Sequence, residues 1–481
     1  MAIDPRVPFP CETVPEERPA LRLLGLYPQH EDGFYMQRMK TPGGALTTAQ
    51  WRGLARLAEE FTPGMPLHAT TRQSIEFHKI PHDSVCALQR GIADLGLTCV
   101  GACGDTLRAV TTSPDNGLLA GTWDVAKVIQ AVIQYAESLP FIRTLPRKFK
   151  VSISGNPAGE TRPWINCIGL VANPSGTFQA MLAGNLGRNP SAGILWRDDL
   201  PADDILPLVG AILRLFNDEG DREKRTRARL RHIRERLGDA AFLERVGTLF
   251  CQEQSRLAEL GPSVPRLSTL MSRVAATVPL QQRVVLPLGD IPSADVCRLA
   301  DVVDAAGAVI RLGIRHDLHI FGNQPVDLPE SIGSLARRLS VVACPGVTLC
   351  TRGVANSRAA GRAILDSLPD ELELNIAISG CVNNCPQAAV GDIGLIGTMK
   401  SISGQRVDCF RLLIGGGQGR SRQLGREIHP AVPRAAVPEV ISLLVARFRE
   451  WRPNETATFE EFAAQAGDEL EAELAARFSS A

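Results

Sequence analysis

NIAISGCVNNC at residues 375–385 has a counterpart earlier in the same chain, KVSISGNPAGE at 150–160. Each starts as a short apolar run of strand type and breaks at Ser-Gly. Working outward, the pairing holds in both directions. Upstream, VGACGDTLRAV (100–110) faces VVACPGVTLCT (341–351), and HATTRQSIEFHKIP (68–81) faces RLGIRHDLHIFGNQP (311–325). Further upstream, QRMKTPGGALTTAQW (37–51) faces QRVVLPLGDIPSADV (282–296), each reading strand, Pro and Gly, then a helix start capped by Thr or Ser. Downstream, MLAGNLGRNP (181–190) faces LLIGGGQGRS (412–421), and both are followed by apolar residues at helical spacing in 205–220 and 436–451. The chain is therefore a duplication of strand–helix units. Each copy holds a small half-domain and a larger α/β domain. The expected division is an N-terminal arm at 1–33, a first half-domain at 34–95, a first large domain at 96–265, a second half-domain at 275–335 and a second large domain at 340–481. The Pro-rich arm is expected to wrap the surface. The charge run at 220–250, which joins the copies, reads as a solvated helical face.

A duplication is most informative where its copies differ. Cys344, Cys350, Cys381 and Cys385 of the second copy face Cys103, Ala109, Asn156 and Glu160 of the first. Only the second copy can build a four-thiolate site. The first copy instead carries Arg38, Arg72, Arg108, Arg147, Lys148 and Lys150 on the same elements. The chain has 45 Arg but only 7 Lys, yet two of those lysines stand two residues apart at 148 and 150. A strand places both on one face with Phe149 turned away. One half reads as built for metal and the other for anions.

Composition narrows the classes. The 481 residues carry zero net charge and are 44% hydrophobic and 22% charged. That balance gives no support to a nucleic-acid partner. No apolar run approaches the ~20 residues of a membrane helix. The opening MAIDPRVPFP lacks a charged-then-apolar signal pattern. A cytoplasmic protein with reduced thiols is expected.

Each cysteine pair follows a short buried-strand pattern, VVA or IAIS. Four thiolates at strand ends suit an iron–sulfur cluster or tetrahedral zinc, and unrelated core cysteines are the bland alternative. The spacings, with five and three intervening residues, favour iron–sulfur over zinc. The remaining cysteines at 11, 86, 99, 103, 167, 251, 297 and 409 read as small core or surface residues. GGGQG at 415–419 lacks the context of a dinucleotide loop and reads as a turn or an anion contact.

The order RMKTPGG (38–44), TTRQ (70–73), GACGD (101–105) with a following Arg, LPRKFK (145–150), CPGVTLC (344–350), and SGCVNNC (379–385) followed by DIGLIG (392–397) resembles the sirohaem-dependent nitrite and sulfite reductases. The likeness runs from about residue 34 to about 465. It implies an α/β (α+β) fold of three domains with a pseudo-two-fold. Paired ferredoxin-like half-domains would join two larger domains that clamp sirohaem and a [4Fe–4S] cluster. Carried over, Cys344, Cys350, Cys381 and Cys385 ligate the cluster, and Cys385 also bridges to the sirohaem iron. Arg72, Arg147, Gln73 and Asn116 are expected to hold the macrocycle, whose eight carboxylates need cationic partners. Arg38, Arg108, Lys148 and Lys150 form the expected pocket for a small oxyanion. Such an enzyme takes electrons from ferredoxin or a flavoprotein subunit. Plant-type nitrite reductases tend to have Asn where this chain has Lys150, so sulfite is the expected substrate and nitrite the alternative. A precorrin-3B synthase-like oxygenase is the alternative of a different class, which the intact GDTLRAV and LPRKFK stretches disfavour. Val382 and Pro386 depart from the family pattern. Pro386 offers no N–H, so a hydrogen bond to the cluster or its thiolate is expected to be lost and the potential lowered.

Overall fold

A computed structural model describes residues 8–335, 339–369, 373–402, 404–417, 421–454 and 456–478. Residues 1–7 of the expected arm and the last two residues of GGGQG lie outside that set.

The duplication is visible strand for strand. In the first large domain Val151–Ser154 runs parallel to Ile168–Ala172, which pairs antiparallel with Phe178–Leu182 and then Ile194–Leu200. In the second, Asn375–Ser379 runs parallel to Ile393–Ile402, followed by Gln405–Ile414 and Arg426–Pro433 in the same order. Helices Ile205–Glu219 and Val437–Trp451 close the two units. Their apolar residues at helical spacing are buried against the sheets. The second sheet has a further parallel strand, Ser340–Ala343, beside Asn375–Ser379. Its counterpart in the first copy is reduced to the parallel bridges Leu107↔Phe149 and Thr111↔Ser152.

The half-domains are interlocked. Strands Leu26–Pro28, Phe34–Arg38, Ile75–Pro81 and Leu67–Ala69 form one sheet, which ends on Asp290–Ile291 from the second copy. Reciprocally, Ala45 of the first copy bridges to Arg311 of the second. Helices Thr48–Phe61 and Ser293–Ala305 meet across the pseudo-two-fold, where Arg52 donates to Asp301 (2.8 Å) and Asp304 (3.0 Å). A single apolar core spans both half-domains. The helix starts differ between copies. Thr47 caps the first helix in a reciprocal box with Gln50. In the second, Ser293 is already helical and Pro292 at the cap gives no side-chain bond.

Two expectations need correction. The segment 1–33 does more than wrap the surface: Leu21, Leu24 and Leu26 are core residues, and Leu26–Pro28 is an edge strand of the half-domain sheet. Apolar residues at 21, 23, 24 and 26 must be covered, and the sheet edge covers them. The run 220–250 is not wholly solvated either. Arg229, at the start of helix Leu230–Leu237, and Arg231, within it, are buried, because Leu230 and Ile233 drive one face of that segment inward.

Candidate functional site

Both cysteine pairs leave the C-terminal ends of adjacent parallel strands. Cys344 follows Ser340–Ala343, and Cys350 ends the short helix Gly346–Leu349. Cys381 and Cys385 follow Asn375–Ser379. Glycine lets the two loops touch: a Cβ at Gly380 would meet Gly346 Cα at 2.7 Å. The Gly380 N–H donates to Cys344 Sγ at 3.2 Å. Burial, and then the neighbouring Cys385, push the Cys344 thiol up to about 12, and the same two causes push Cys381 up to about 11. Thiols crowded in this way ionise only when a metal cation compensates them.

Sulfurs at ~2.3 Å from one tetrahedral zinc lie ~3.8 Å apart. No three of these four sulfurs lie within 4.8 Å of one another, so the thiols as placed are too widely spaced for a single zinc ion.

Lys148 and Lys150 both lie near enough to Cys385 to feel its charge. Phe149 is fully buried against Phe216. Burying that ring is worth about 2–3 kcal/mol, which sets the register of its strand and turns Lys148 and Lys150 the other way. Arg108 is laid alongside through its own N–H to Phe149 O (2.9 Å) and through Phe149 N–H to Thr106 O (2.9 Å). Arg38 Nη1 (3.5 Å) and Arg108 Nη1 both address Ala102 O. The structure thus brings Arg38, Arg108, Lys148 and Lys150 together. Burial, then Arg229, Arg108 and Arg147, bring Lys148 down to about 7, against the pull of Cys385. Burial, Arg72, Lys148 and Arg229 hold Lys150 well below the usual lysine range.

The expected macrocycle ligands divide. Arg147 is shared with Asp105 (3.4 Å), which also pairs with Arg225 (2.8 Å). Arg72 gives both Nη2 hydrogens to protein carbonyls, Ala109 O (2.6 Å) and Val151 O (3.1 Å), and one Nη1 hydrogen to Asn166 Oδ1 (3.0 Å). Only Nε and one Nη1 hydrogen remain for a ligand, so Arg72 is foremost a stitch between half-domain and large domain. Gln73 is corrected. It is fully buried with φ +52°, and its amide donates to Thr112 O (3.0 Å) and Leu312 O (2.7 Å) while accepting from Thr112 N (3.0 Å). It has no donor left for a carboxylate, because the half-domain interface consumes it. Asn116 is likewise drawn into local structure, donating to Asp124 (2.8 Å) and accepting from Val125 N at a helix start (3.0 Å). Replacing Arg72 with alanine strands three acceptors and is expected to cost about 3 kcal/mol of stability, read by denaturant titration.

Sequence reasoning missed Arg229. It is 8% exposed, and among the described residues the one hydrogen bond of its side chain is a 3.5 Å contact from Nη2 to Cys167 Sγ. Its signal was Leu230 and Ile233 at helical spacing, which pull the preceding Arg inward. Arg72, Arg108, Lys148, Lys150 and Arg229 have no carboxylate partner among the described residues. The Nε atoms of Arg72 and Arg229 are buried without an acceptor. Asn384, 2% exposed and next to Cys385, leaves both ends of its amide unpartnered. A polycarboxylate beside a sulfur-ligated cluster fits these residues, since uncompensated buried cations are prohibitively costly alone.

The chain is similar to proteins already known. The family model described as "Nitrite and sulphite reductase 4Fe-4S domain" matches residues 103–253 and 334–463. The "Nitrite/Sulfite reductase ferredoxin-like half domain" matches 27–95. The chain is 25% identical over 509 aligned residues to the assimilatory ferredoxin-dependent nitrite reductase of Haloferax mediterranei, covering 92% of this chain and 85% of that one. It is 27% identical over 452 residues to the ferredoxin–nitrite reductase of Synechococcus elongatus, covering 86% of each. It is 26% identical over 470 residues to a ferredoxin sulfite reductase of Mycobacterium tuberculosis, covering 85% and 81%. The solved structure of the Mycobacterium tuberculosis NirA protein shares the fold, with a TM-score of 0.77 at 22% identity over 94% of this chain and 90% of that one.

Proposed function

The chain belongs to the nitrite and sulphite reductase family, and from that premise we propose that it reduces sulfite to sulfide, with nitrite as its second substrate and ferredoxin as its electron donor. It is an oxidoreductase whose cofactors are sirohaem and a [4Fe–4S] cluster. Among the described residues no helix is long and apolar enough to cross a membrane.

The observation that carries the reading is that Arg72, Arg108, Lys148, Lys150 and Arg229 have no carboxylate partner among the described residues, while Cys385 is near enough to act on both lysines. When bound, the cofactors would supply the electrons and the iron chemistry of the reduction. Cys344, Cys350, Cys381 and Cys385 would hold the cluster. Arg72 Nε, Arg229 and Asn384 offer free donors to the macrocycle. The rest is done by side chains. Arg38, Arg108, Lys148 and Lys150 attract and orient the oxyanion. Arginine stays protonated, so the transferable protons sit on the lysine Nζ atoms, where burial makes release favourable. Phe149 and the core behind it keep water from that side of the strand.

Sulfite is favoured by Lys150. A doubly charged oxyanion gains more than nitrite does from a second ammonium. Lys150→Asn is expected to lower kcat/KM for sulfite about tenfold relative to nitrite, measured on the holoenzyme with reduced viologen. An unchanged ratio would remove the argument for sulfite. Failure of the wild-type holoenzyme to reduce either anion would remove the reading itself.

A further inference from the structure

The duplicated half-domains carry one arrangement twice. Glu76-Phe77-His78 lies in strand Ile75–Pro81, and Asp317-Leu318-His319 in strand Asp317–Phe321. In each copy the arginine of the first strand reaches the carboxylate. Arg38 Nε donates to Glu76 Oε1 at 2.6 Å, and Arg283 Nε donates to Asp317 Oδ2 at 2.6 Å. In each copy the histidine approaches the same acid. His319 Nε2 lies 3.1 Å from Asp317 Oδ2, and His78 Nε2 lies 3.3 Å from Glu76 Oε2, a bent approach short of a full hydrogen bond.

The copies then diverge. The second arrangement is closed, because Arg315, the repeat counterpart of Arg72, pairs with Glu160, which stands at the repeat position of Cys385. The first faces the cation pocket. Arg38 gives Nε and Nη2 to Glu76, while Nη1 contacts Ala102 O at 3.5 Å, the outer limit of hydrogen bonding, and Cys103 Sγ at 3.4 Å, an ordinary distance to a weak acceptor. That edge, held by one long contact and one weak sulfur acceptor, is the one an anion can take over.

The chain of bonds behind Glu76 has a determined direction. The Lys79 N–H donates to Gln29 Oε1 at 2.7 Å. Gln29 must therefore face His78 Nδ1 with Nε2, at 3.1 Å. His78 Nδ1 accepts, so the neutral ring carries its proton on Nε2, toward Glu76. Burial, which lowers the His78 pKa, keeps the ring neutral. Glu76 is 4% exposed. Burial opposes its charge, but Arg38 and then His78 hold its carboxyl well below the usual range. A buried carboxylate close to an anion pocket would repel the substrate unless it had a task there.

We propose that Glu76, backed by His78 and Gln29, is the positioning residue that fixes Arg38 for oxyanion capture. This rests on the reading of Arg38 as an oxyanion ligand. Arg38 alone has several rotatable bonds, and gripping two of its nitrogens removes that freedom before the anion arrives.

The test uses holoenzymes carrying Glu76→Gln, Glu76→Asp and Arg38→Gln. The readouts are KM and kcat for sulfite and nitrite, nitrite affinity of the oxidised protein from the haem absorption change, and haem and iron per chain. Glu76→Gln is expected to raise KM and the nitrite Kd about tenfold, with kcat within about threefold and full cofactor content. Glu76→Asp keeps the charge and is expected to restore most of that loss. Unchanged KM and Kd in Glu76→Gln, beside a clear rise in Arg38→Gln, overturns the positioning role and leaves the pocket standing. No rise in either variant overturns the reading of Arg38. A loss confined to kcat also overturns the proposal. If Glu76→Gln does not load its cofactors, His78→Gln carries the same test: a raised KM with kcat little changed is expected, and an unaltered KM rejects the proposal.

Discussion

Cys385→Ser is expected to abolish reduction of both sulfite and nitrite while the polypeptide keeps its fold. The loop that bears Cys385 is held from the other half of the molecule. Thr71 Oγ1 donates to the Cys385 carbonyl at 2.9 Å, Gln387 Nε2 donates to Thr71 O at 3.3 Å, and Arg162 Nη1 donates to Gln387 Oε1 at 2.7 Å. Serine changes none of these bonds, because they use backbone or other side chains. What changes is the donor atom: a hydroxyl does not ionise as a thiol does and is a poor ligand for iron. The check is iron per chain, the absorption spectrum and viologen-driven turnover on one preparation. Loss of turnover in a protein with wild-type thermal unfolding is the expected result. Turnover near the wild-type rate would remove Cys385 from its role.

Lys148→Met is expected to lower kcat by about 10²–10⁴-fold, the usual contribution of a positioned proton donor. Lys148 sits near 7 because burial and three arginines oppose its charge. The sign follows directly. Below that value the ammonium is present, binds the anion and can donate. As pH rises through it, the charge is lost and anion capture weakens. Bound carboxylates of the cofactor move the transition upward, so kcat/KM of the wild type is expected to fall along an alkaline limb beginning no lower than about pH 7. Lys148→Arg separates the two duties. A guanidinium stays charged, so the alkaline limb should flatten while kcat remains low. A Lys148→Arg enzyme with wild-type kcat would show that the proton comes from elsewhere, with Lys150 the next donor to test.

The expectation about Pro386 meets a loop with its own constraints. Asn384 and Gln387 both adopt left-handed conformations, with φ +53° and +66°, and Pro386 between them is buried. The Cys385 carbonyl is tied to Thr71, so the proline removes one N–H without loosening the ligand. Cluster content is therefore expected to be complete whatever the potential proves to be.

The linear order of residues carried the duplication, the four thiols and the lysine pair, while Arg38 and Arg108 joined that pair only through the resemblance to the reductase family. The first three depend on local spacing: a period of two in strands, paired cysteines after apolar runs, lysines flanking a phenylalanine that must be buried. Other assignments could not be read locally. Gln73 adjoins Arg72 and has the chemistry of a ligand, but Leu312, 239 residues on, claims its amide. Arg229 lies in a charge run that looks solvated until the helix after it turns its leucine and isoleucine inward. Zinc and cluster ligation share the same cysteines and differ in the distance between sulfurs, which is fixed only when the two loops pack together in three dimensions. Glu76 is one acid among many until Arg38, on the neighbouring strand, is seen to grip it. Which groups this protein possesses, and that they occur in two unequal copies, is written in the order of its residues. Tertiary structure alone decided which charges find partners inside the protein and which are left for a ligand, because burial cost and hydrogen-bond pairing are settled between residues far apart in the chain.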